Sequence, residues 1–239
     1  MKEHVLAISP ARGGSKGIPR KNIIDFCGKP LIAHTISQAL NCELIDSYIV
    51  NSEDAEIREV ASKYGANTMS RPDKYAHDQI LQEVDLLLKW TVNEFERFNP
   101  EIKVTLVVLL YPTAPLRDVI SITKTIDLVL NKNFDSALTV YSDDRYLWKA
   151  NFDNNSILPT NYDPNKRMPR QKESWNQWAE NKAVYCTRRD VLFSEGRIGK
   201  NCGYVEMEKW RSIDIDEPID LAIGKSIYTA KHSQSCNKP

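Results

Sequence analysis

The stretch "VTLVVLLYPTAPLR", residues 104–117, decides the fold. Val104 to Leu110 form the densest apolar run of the chain, with the length and β-branching of a strand buried on both faces. Such a strand marks the centre of a largely parallel sheet. Working outward, Val5 to Ile8 form a second apolar strand. Leu31–Leu40 suits a helix with Pro30 at its start, and Tyr48, Ile49 and Val50 suit a strand ending at Asn51-Ser52. Three sets recur at helical spacing and predict core faces: Ile57, Val60, Ala61 and Tyr64; Leu81, Val84 and Leu88; Ile122, Ile126 and Val129. Alternating strands and helices define an α/β fold, a Rossmann-like, mostly parallel sheet flanked by helices.

From Ser136 the texture changes. "ALTVY", "YLWKANF" and "KAVYC" read as strands, but residues 151–174 are polar, proline-containing and too long for an ordinary connection. They predict an excursion from the main domain, a lid or a dimerisation arm. The expected organisation is one domain over 1–231, with 140–182 as a dimerisation and substrate excursion and 232–239 as a polar tail. "RSIDIDEPIDLAIGKSIYTAKH", 211–232, reads as a strand followed by a helix.

The 239 residues suffice for one α/β domain with a smaller lobe. The 32 basic and 32 acidic side chains cancel, so no global field draws the chain to nucleic acid or an acidic membrane, and any anion site must be local. Five cysteines without a C-x-x-C pair read as reduced thiols in a cytoplasmic protein and argue against zinc. The N-terminus lacks the apolar core of a signal peptide, and no segment approaches a membrane span.

Two segments carry the chemistry. In "AISPARGGSKGIPRKN", residues 7–22, a strand enters a loop with Gly13, Gly14 and Gly17 among Arg12, Lys16, Arg20 and Lys21. Neither G-x-x-x-x-G-K-[ST] nor G-x-G-x-x-G is present. The glycines still permit positive φ and close backbone approach. A triphosphate, with about four negative charges, would offset the crowded cations; composition alone also allows a solvated surface loop. In "SIDIDEP", residues 212–218, strand alternation would put Ile213 and Ile215 on one face and Asp214 and Asp216 on the other. The carboxylates would then lie roughly 6–7 Å apart and could share a hard cation. The alternative is a helix start, with Asp216 or Glu217 capping, Pro218 in the first turn and Asp220 facing the helix dipole.

The order A-R-G-G-S-K-G-x-P-x-K-N resembles the nucleotide signature of the acylneuraminate (CMP-sialic acid, CMP-nonulosonic acid) cytidylyltransferases. "SRPDKYAHD" (70–78), "LLYPTAPLR" (109–117) and "SIDIDEPIDL" (212–221) resemble further family segments in the same order. The resemblance implies transfer of CMP from CTP to the anomeric hydroxyl of a nine-carbon sugar acid, with release of pyrophosphate, for cell-surface glycan (lipopolysaccharide) synthesis. It further implies Mg²⁺, or Mn²⁺ in its place, and a homodimer in which the excursion reaches the neighbouring subunit.

By the same resemblance Arg12, Ser15, Lys16, Lys21 and Asn22 bind the CTP phosphates and nearby nucleotide groups, Arg71 lies near the nucleotide, and Gln82 contacts base or ribose. Asp214 and Asp216 hold the metal and, with Arg12, Lys16 and Lys21, form the catalytic set. Arg170 of "MPRQKESW" clamps the sugar carboxylate, its planar fork suited to both oxygens. Tyr111, Asn181 and Tyr185 face the sugar. The departures cluster on that side: Lys182 replaces a glycine, Tyr111 a glutamine, and Gln79, Ile80 and Leu81 a Thr/Ser-rich run. Two other functions fit the residues: a sugar-1-phosphate nucleotidyltransferase using another nucleoside triphosphate, and a nucleotide-binding paralogue without catalysis.

Overall fold

Leu106 to Leu110 form a strand in which every side chain is buried, as an unalternating apolar run requires. The structure is a computed structural model and describes residues 3–72, 75, 83–166 and 176–233. The chain opens with β1 (Val5–Pro10), a small hairpin of β2 (Asp25–Phe26) and β3 (Lys29–Pro30), α1 (Leu31–Leu40), β4 (Ser47–Asn51), α2 (Ala55–Lys63) and β5 (Asn67–Met69). It continues through α3 (Glu83–Phe98), β6 (Leu106–Leu110), α4 (Val119–Asn131), β7 (Ser136–Ser142) and a second hairpin of β8 (Trp148–Asn151) and β9 (Ser156–Pro159). The last elements are β10 (Trp178–Arg188), α5 (Arg189–Ser194), β11 (Cys202–Glu206) and α6 (Pro218–Ser233).

Seven strands form one sheet in the order β11-β7-β10-β6-β1-β4-β5, with β6 in the middle. β1 pairs in parallel with β4 and β6, β4 with β5, and β7 with β11; only β10 runs antiparallel to its neighbours. The sheet is thus the mostly parallel α/β arrangement read from the sequence. Because β1, β4 and β6 point the same way, the loops that follow them emerge at one edge, where open α/β sheets bind ligands.

Both faces are covered. Ala7, Val108 and Leu110 pack with Ile32 and Ile36 of α1, Ile57 and Ala61 of α2, and Ile122, Ile126 and Val129 of α4. On the other face Leu6, Ile8, Val107 and Leu109 meet Leu88, Val92 and Phe95 of α3. Burying each large aliphatic side chain contributes about 1.5–3 kcal/mol. A third cluster joins Ile18, Phe26, Leu31, Leu116 and Ile215, with Leu221 and Tyr228 of α6 packed on it. It clamps the first loop against the segment carrying Asp214 and Asp216.

Three expectations need correction. Residues 212–216 are not a strand. They bridge a 3₁₀ turn at Lys209–Arg211 and the start of α6 at Pro218, held by burial of Ile215 and by its N–H donating to the Thr113 carbonyl at 2.8 Å. Tyr64 is not core but 39% exposed. It follows the last residue of α2, where Gly65 at φ +91° donates to the Ser62 carbonyl and Ala66 to that of Ala61, a Schellman ending that turns the chain before Tyr64 can face inward. At α6, Asp220 rather than Asp216 or Glu217 supplies the capping carboxylate: its Oδ2 accepts from the N–H groups of Asp216 (3.1 Å) and Glu217 (2.8 Å). Gln79, Ile80 and Leu81 lie outside the described residues.

The excursion after β7 contains the β8–β9 hairpin, exposed at every position but the partly buried Pro159. Its tip carries Phe152, 94% exposed, and Asn161 fastens its base by hydrogen bonds to Leu147 N, Arg145 O and Gln177 Oε1.

The last residue of the opening stretch, Arg117, is 2% exposed. Its guanidinium donates to Gln38 Oε1 (2.9 Å), the Tyr111 carbonyl (2.9 Å), the Ala183 carbonyl (2.6 Å) and Thr35 Oγ1. Burial pulls its pKa down to about 10, so it remains a cation at neutral pH. Among the described residues no carboxylate pairs with it; its partners are neutral acceptors on α1, the loop after β6 and β10. Arg117→Met, which keeps an apolar stem but leaves those acceptors without a donor, should cost about 3 kcal/mol or more in urea unfolding. A loss under about 1 kcal/mol would show that the network contributes little.

Candidate active site

At the strand-end edge the loops after β1 and β6 and the segments around Lys182 and Asp214 enclose a cavity of about 400 Å³. One wall is the first loop, through Arg12, Ser15, Lys21 and Asn22. Its shape follows from short-range contacts. Ala11 N donates to the Asn51 carbonyl at 2.9 Å, which fixes the loop to the end of β4, and the buried Asn22 donates to the Arg12 carbonyl at 2.8 Å. Glu53 ties two parts together: Oε1 accepts from Gly13 N at 2.7 Å, and Oε2 from Arg71 Nε at 2.7 Å, setting Arg71 on the same cavity.

The glycines serve close approach, and none of Gly13, Gly14 and Gly17 has the positive φ that the sequence allowed. A Cβ at Gly17 would lie 2.2 Å from the Asp216 carbonyl oxygen, and one at Gly13 2.5 Å from Asp54 Oδ2. The loop therefore lies directly against the acidic segment. Its cations are divided. Arg20 turns aside to Asp54 and Glu56, and the Arg20 hydrogen bond holds the Asp54 carboxyl below its usual range. Lys21 crosses to Asp216, Nζ to Oδ1 at 2.7 Å. Lys16 is exposed and stands outside the cavity wall.

Facing the loop are Asp214 and Asp216. The strand alternation expected of them is absent, but burial of the intervening Ile215 still turns both toward the cavity. Burial pushes the Asp216 carboxyl up, but the Lys21 hydrogen bond and the charges of Lys21 and Lys182 outweigh it and hold it below its usual range. Asp216 is thus ionised at neutral pH. Asp214 Oδ2 accepts from Lys182 Nζ at 2.9 Å, while its buried Oδ1 has no hydrogen-bond partner among the described residues. An orphaned carboxylate oxygen beside a second carboxylate is a donor set that fits a hard divalent cation. The described residues hold no group of three or more His, Cys, Asp or Glu side chains that could hold a metal ion by themselves, so a cation here would take its other ligands from phosphate and water.

The far wall consists of Tyr111, Glu180, Tyr185 and Arg197. Burial raises the pKa of Tyr111 and, with the Glu180 hydrogen bond, that of Tyr185, so both phenols keep their protons at neutral pH. Arg197 bonds Asp85 at 3.2 Å and lies over the Tyr185 ring at 5.5 Å. The sugar contact expected of Asn181 does not fit its position. It is 3% exposed behind the wall, accepting from Thr139 Oγ1 and Ala183 N and donating to Ser212 Oγ and Met207 Sδ. The register shift in β10 between Glu180 and Tyr185 buries this amide and turns the flanking residues outward.

Arg12, Ser15, Lys21, Asn22, Arg71, Tyr111, Tyr185, Asp214 and Asp216 thus line one cavity. Gln82 and Arg170 lie outside the described residues. Sequence reasoning missed Glu53, Glu180 and Arg197, whose spacing matches no motif, and took Lys182 only as a departure.

Fold and cavity define an α/β protein whose site sets cations against a carboxylate pair. The chain matches the model of the cytidylyltransferase family over residues 6–194, and it belongs to that family. An N-acylneuraminate cytidylyltransferase of Oncorhynchus mykiss is 30% identical over 226 residues, 94% of this chain and 50% of that protein. A pseudaminic acid cytidylyltransferase of Campylobacter jejuni is 46% identical over 112 residues, 46% of this chain and 47% of that one. The resemblance to acylneuraminate-type members is therefore borne out. The chain spans about half the length of the Oncorhynchus mykiss protein it matches. A solved CMP:2-keto-3-deoxy-manno-octonic acid synthetase complexed with CTP shares the fold, with a TM-score of 0.66 at 15% identity over 96% of this chain and all of that one. No helix among the described residues is long and apolar enough to cross a membrane.

The loop contacts yield a paired test. Gly17→Ala should cost about 2 kcal/mol in unfolding stability, because the backbone of Asp216 must move. Gly14→Ala, where a Cβ meets nothing within 4 Å, should stay within about 0.5 kcal/mol of the parent. Equal losses for both would refute the close-approach assignment.

Proposed function

We propose that this chain transfers CMP from CTP to the anomeric hydroxyl of a nonulosonic sugar acid. The observation that carries the reading is the Lys21–Asp216 contact at 2.7 Å, which joins the cationic loop to the carboxylate pair across one cavity. The family and its acylneuraminate and pseudaminate relatives supply the substrate class. Acylneuraminate and pseudaminate relatives both match, the first over 94% of this chain and the second over 46%, so the substrate is proposed as a nine-carbon acid of this class.

Arg12 and Lys21, with the amide groups of the loop around Gly13 and Gly14, orient the triphosphate, and Lys16 approaches it from the exposed side of the loop. Ser15, Asn22 and Arg71 fix the nucleotide end, and Gln82 contacts base or ribose. Asp214 and Asp216 hold Mg²⁺, or Mn²⁺, which when bound neutralises charge on the phosphate oxygens. Tyr111 and Tyr185, as protonated phenols, offer hydrogen bonds to the sugar, and Arg170 clamps its carboxylate. The anomeric oxygen bonds the α-phosphorus as the bond from that phosphorus to the bridging oxygen breaks. Pyrophosphate leaves and the hydroxyl proton is released. Cations fixed before the reaction stabilise the charge that develops on the leaving group. The exposed β8–β9 hairpin suits an arm to a second subunit of a homodimer, and the product would feed cell-surface glycan synthesis in the cytoplasm.

Pyrophosphate release, measured with four nucleoside triphosphates against nonulosonic acids, an eight-carbon keto acid and sugar 1-phosphates, tests the reading. Release is expected with CTP and a nine-carbon acid, lost with chelator and restored by Mg²⁺. Release only with a sugar 1-phosphate would overturn it. Asp214→Asn should lower kcat by about 10²-fold or more while the circular dichroism spectrum stays native.

A further inference from the structure

Lys182 is a non-glycine residue with φ +56°. It is held there from both sides: Asn181 Oδ1 accepts from Ala183 N at 3.1 Å, and the Ala183 carbonyl accepts from Arg117. A glycine would occupy this conformation without strain, and the sequence motif that β10 resembles has one. The lysine side chain instead reaches the cavity, where Nζ lies 2.9 Å from Asp214 Oδ2 and 4.0 Å from Asp216 Oδ2. Its side chain is 56% exposed, so the ion pair returns less stability than the left-handed backbone costs. The contact thus points to function rather than to stability.

We propose that Lys182 is a positioning residue, the resident counter-cation of the metal carboxylates. Its ammonium stands between Asp214 and Asp216 in the metal-free protein, and a divalent cation must displace it to bind. The long, half-exposed stem lets it leave without any backbone movement. Lys21 does not share this role, since among the described residues its side chain pairs with Asp216 alone and it is anchored in the opposite loop. The proposal rests on the assignment of Asp214 and Asp216 as metal ligands.

Mn²⁺ alone, titrated into the full chain and followed by the electron paramagnetic resonance signal of the free ion, separates the two claims. Lys182→Met keeps the stem and removes the charge, and Lys182→Gly removes charge and strain together. Both should tighten Mn²⁺ binding by about tenfold or more, because a like charge beside the ion is gone. Lys182→Arg should remain within about twofold of the parent. Parental affinity in Lys182→Met, with binding that Asp214→Asn abolishes, would overturn the proposal and leave the metal assignment standing; so would tightening in Lys182→Gly alone, which would trace the effect to the backbone. Binding unaffected by Asp214→Asn would overturn the metal assignment and this proposal with it.

Discussion

A cation buried among neutral acceptors governs the active-site end of this fold. Arg117 carries its charge into the protein without a carboxylate among its described partners, so every acceptor it keeps offsets part of the desolvation penalty. Its rigid fork spans α1, the loop after the central strand and the irregular turn of β10. Moving any of these leaves a buried charge short of partners. Tyr111 and Lys182, on two walls of the cavity, are thereby fixed relative to each other through the Tyr111 and Ala183 carbonyls.

Around this frame, acidic side chains sort the cations of a chain with no net charge. Glu53 takes Arg71 and a loop amide, Asp54 and Glu56 take Arg20, and Asp216 takes Lys21. The resulting field is local and directional. It meets a carboxylate pair a few ångströms away, across the Lys21–Asp216 contact.

How much of this was legible depended on how local each feature was. The central strand, expected over 104–110 and formed by Leu106–Leu110, and the helix at 31–40 were legible, because burial on both faces or on one stripe leaves a trace in the sequence. β11 did not: an edge strand with mixed exposure has no pattern to detect. "SIDID" misled in the opposite sense. Its alternation reflects Ile215 packing into a small cluster, with no strand partner on either side. Asn181 sat in the right motif, yet a register shift across β10 turned its amide inward, and no spacing rule reports on a bulge. Lys182 was visible as a substitution, but its left-handed backbone and its reach to Asp214 were not.

The alternating α/β order, the central strand, the cationic loop and the acidic segment can all be read along the chain, because each is written in neighbouring residues through hydrophobic period and residue type. That the loop and the acidic segment touch, that Arg20 turns away while Lys21 turns in, and that Lys182 stands between the two aspartates emerges only from the folded arrangement. Those outcomes depend on contacts between residues as far apart as 21 and 216, and such contacts exist only once the sheet, its helices and the buried guanidinium of Arg117 have set the loops in place.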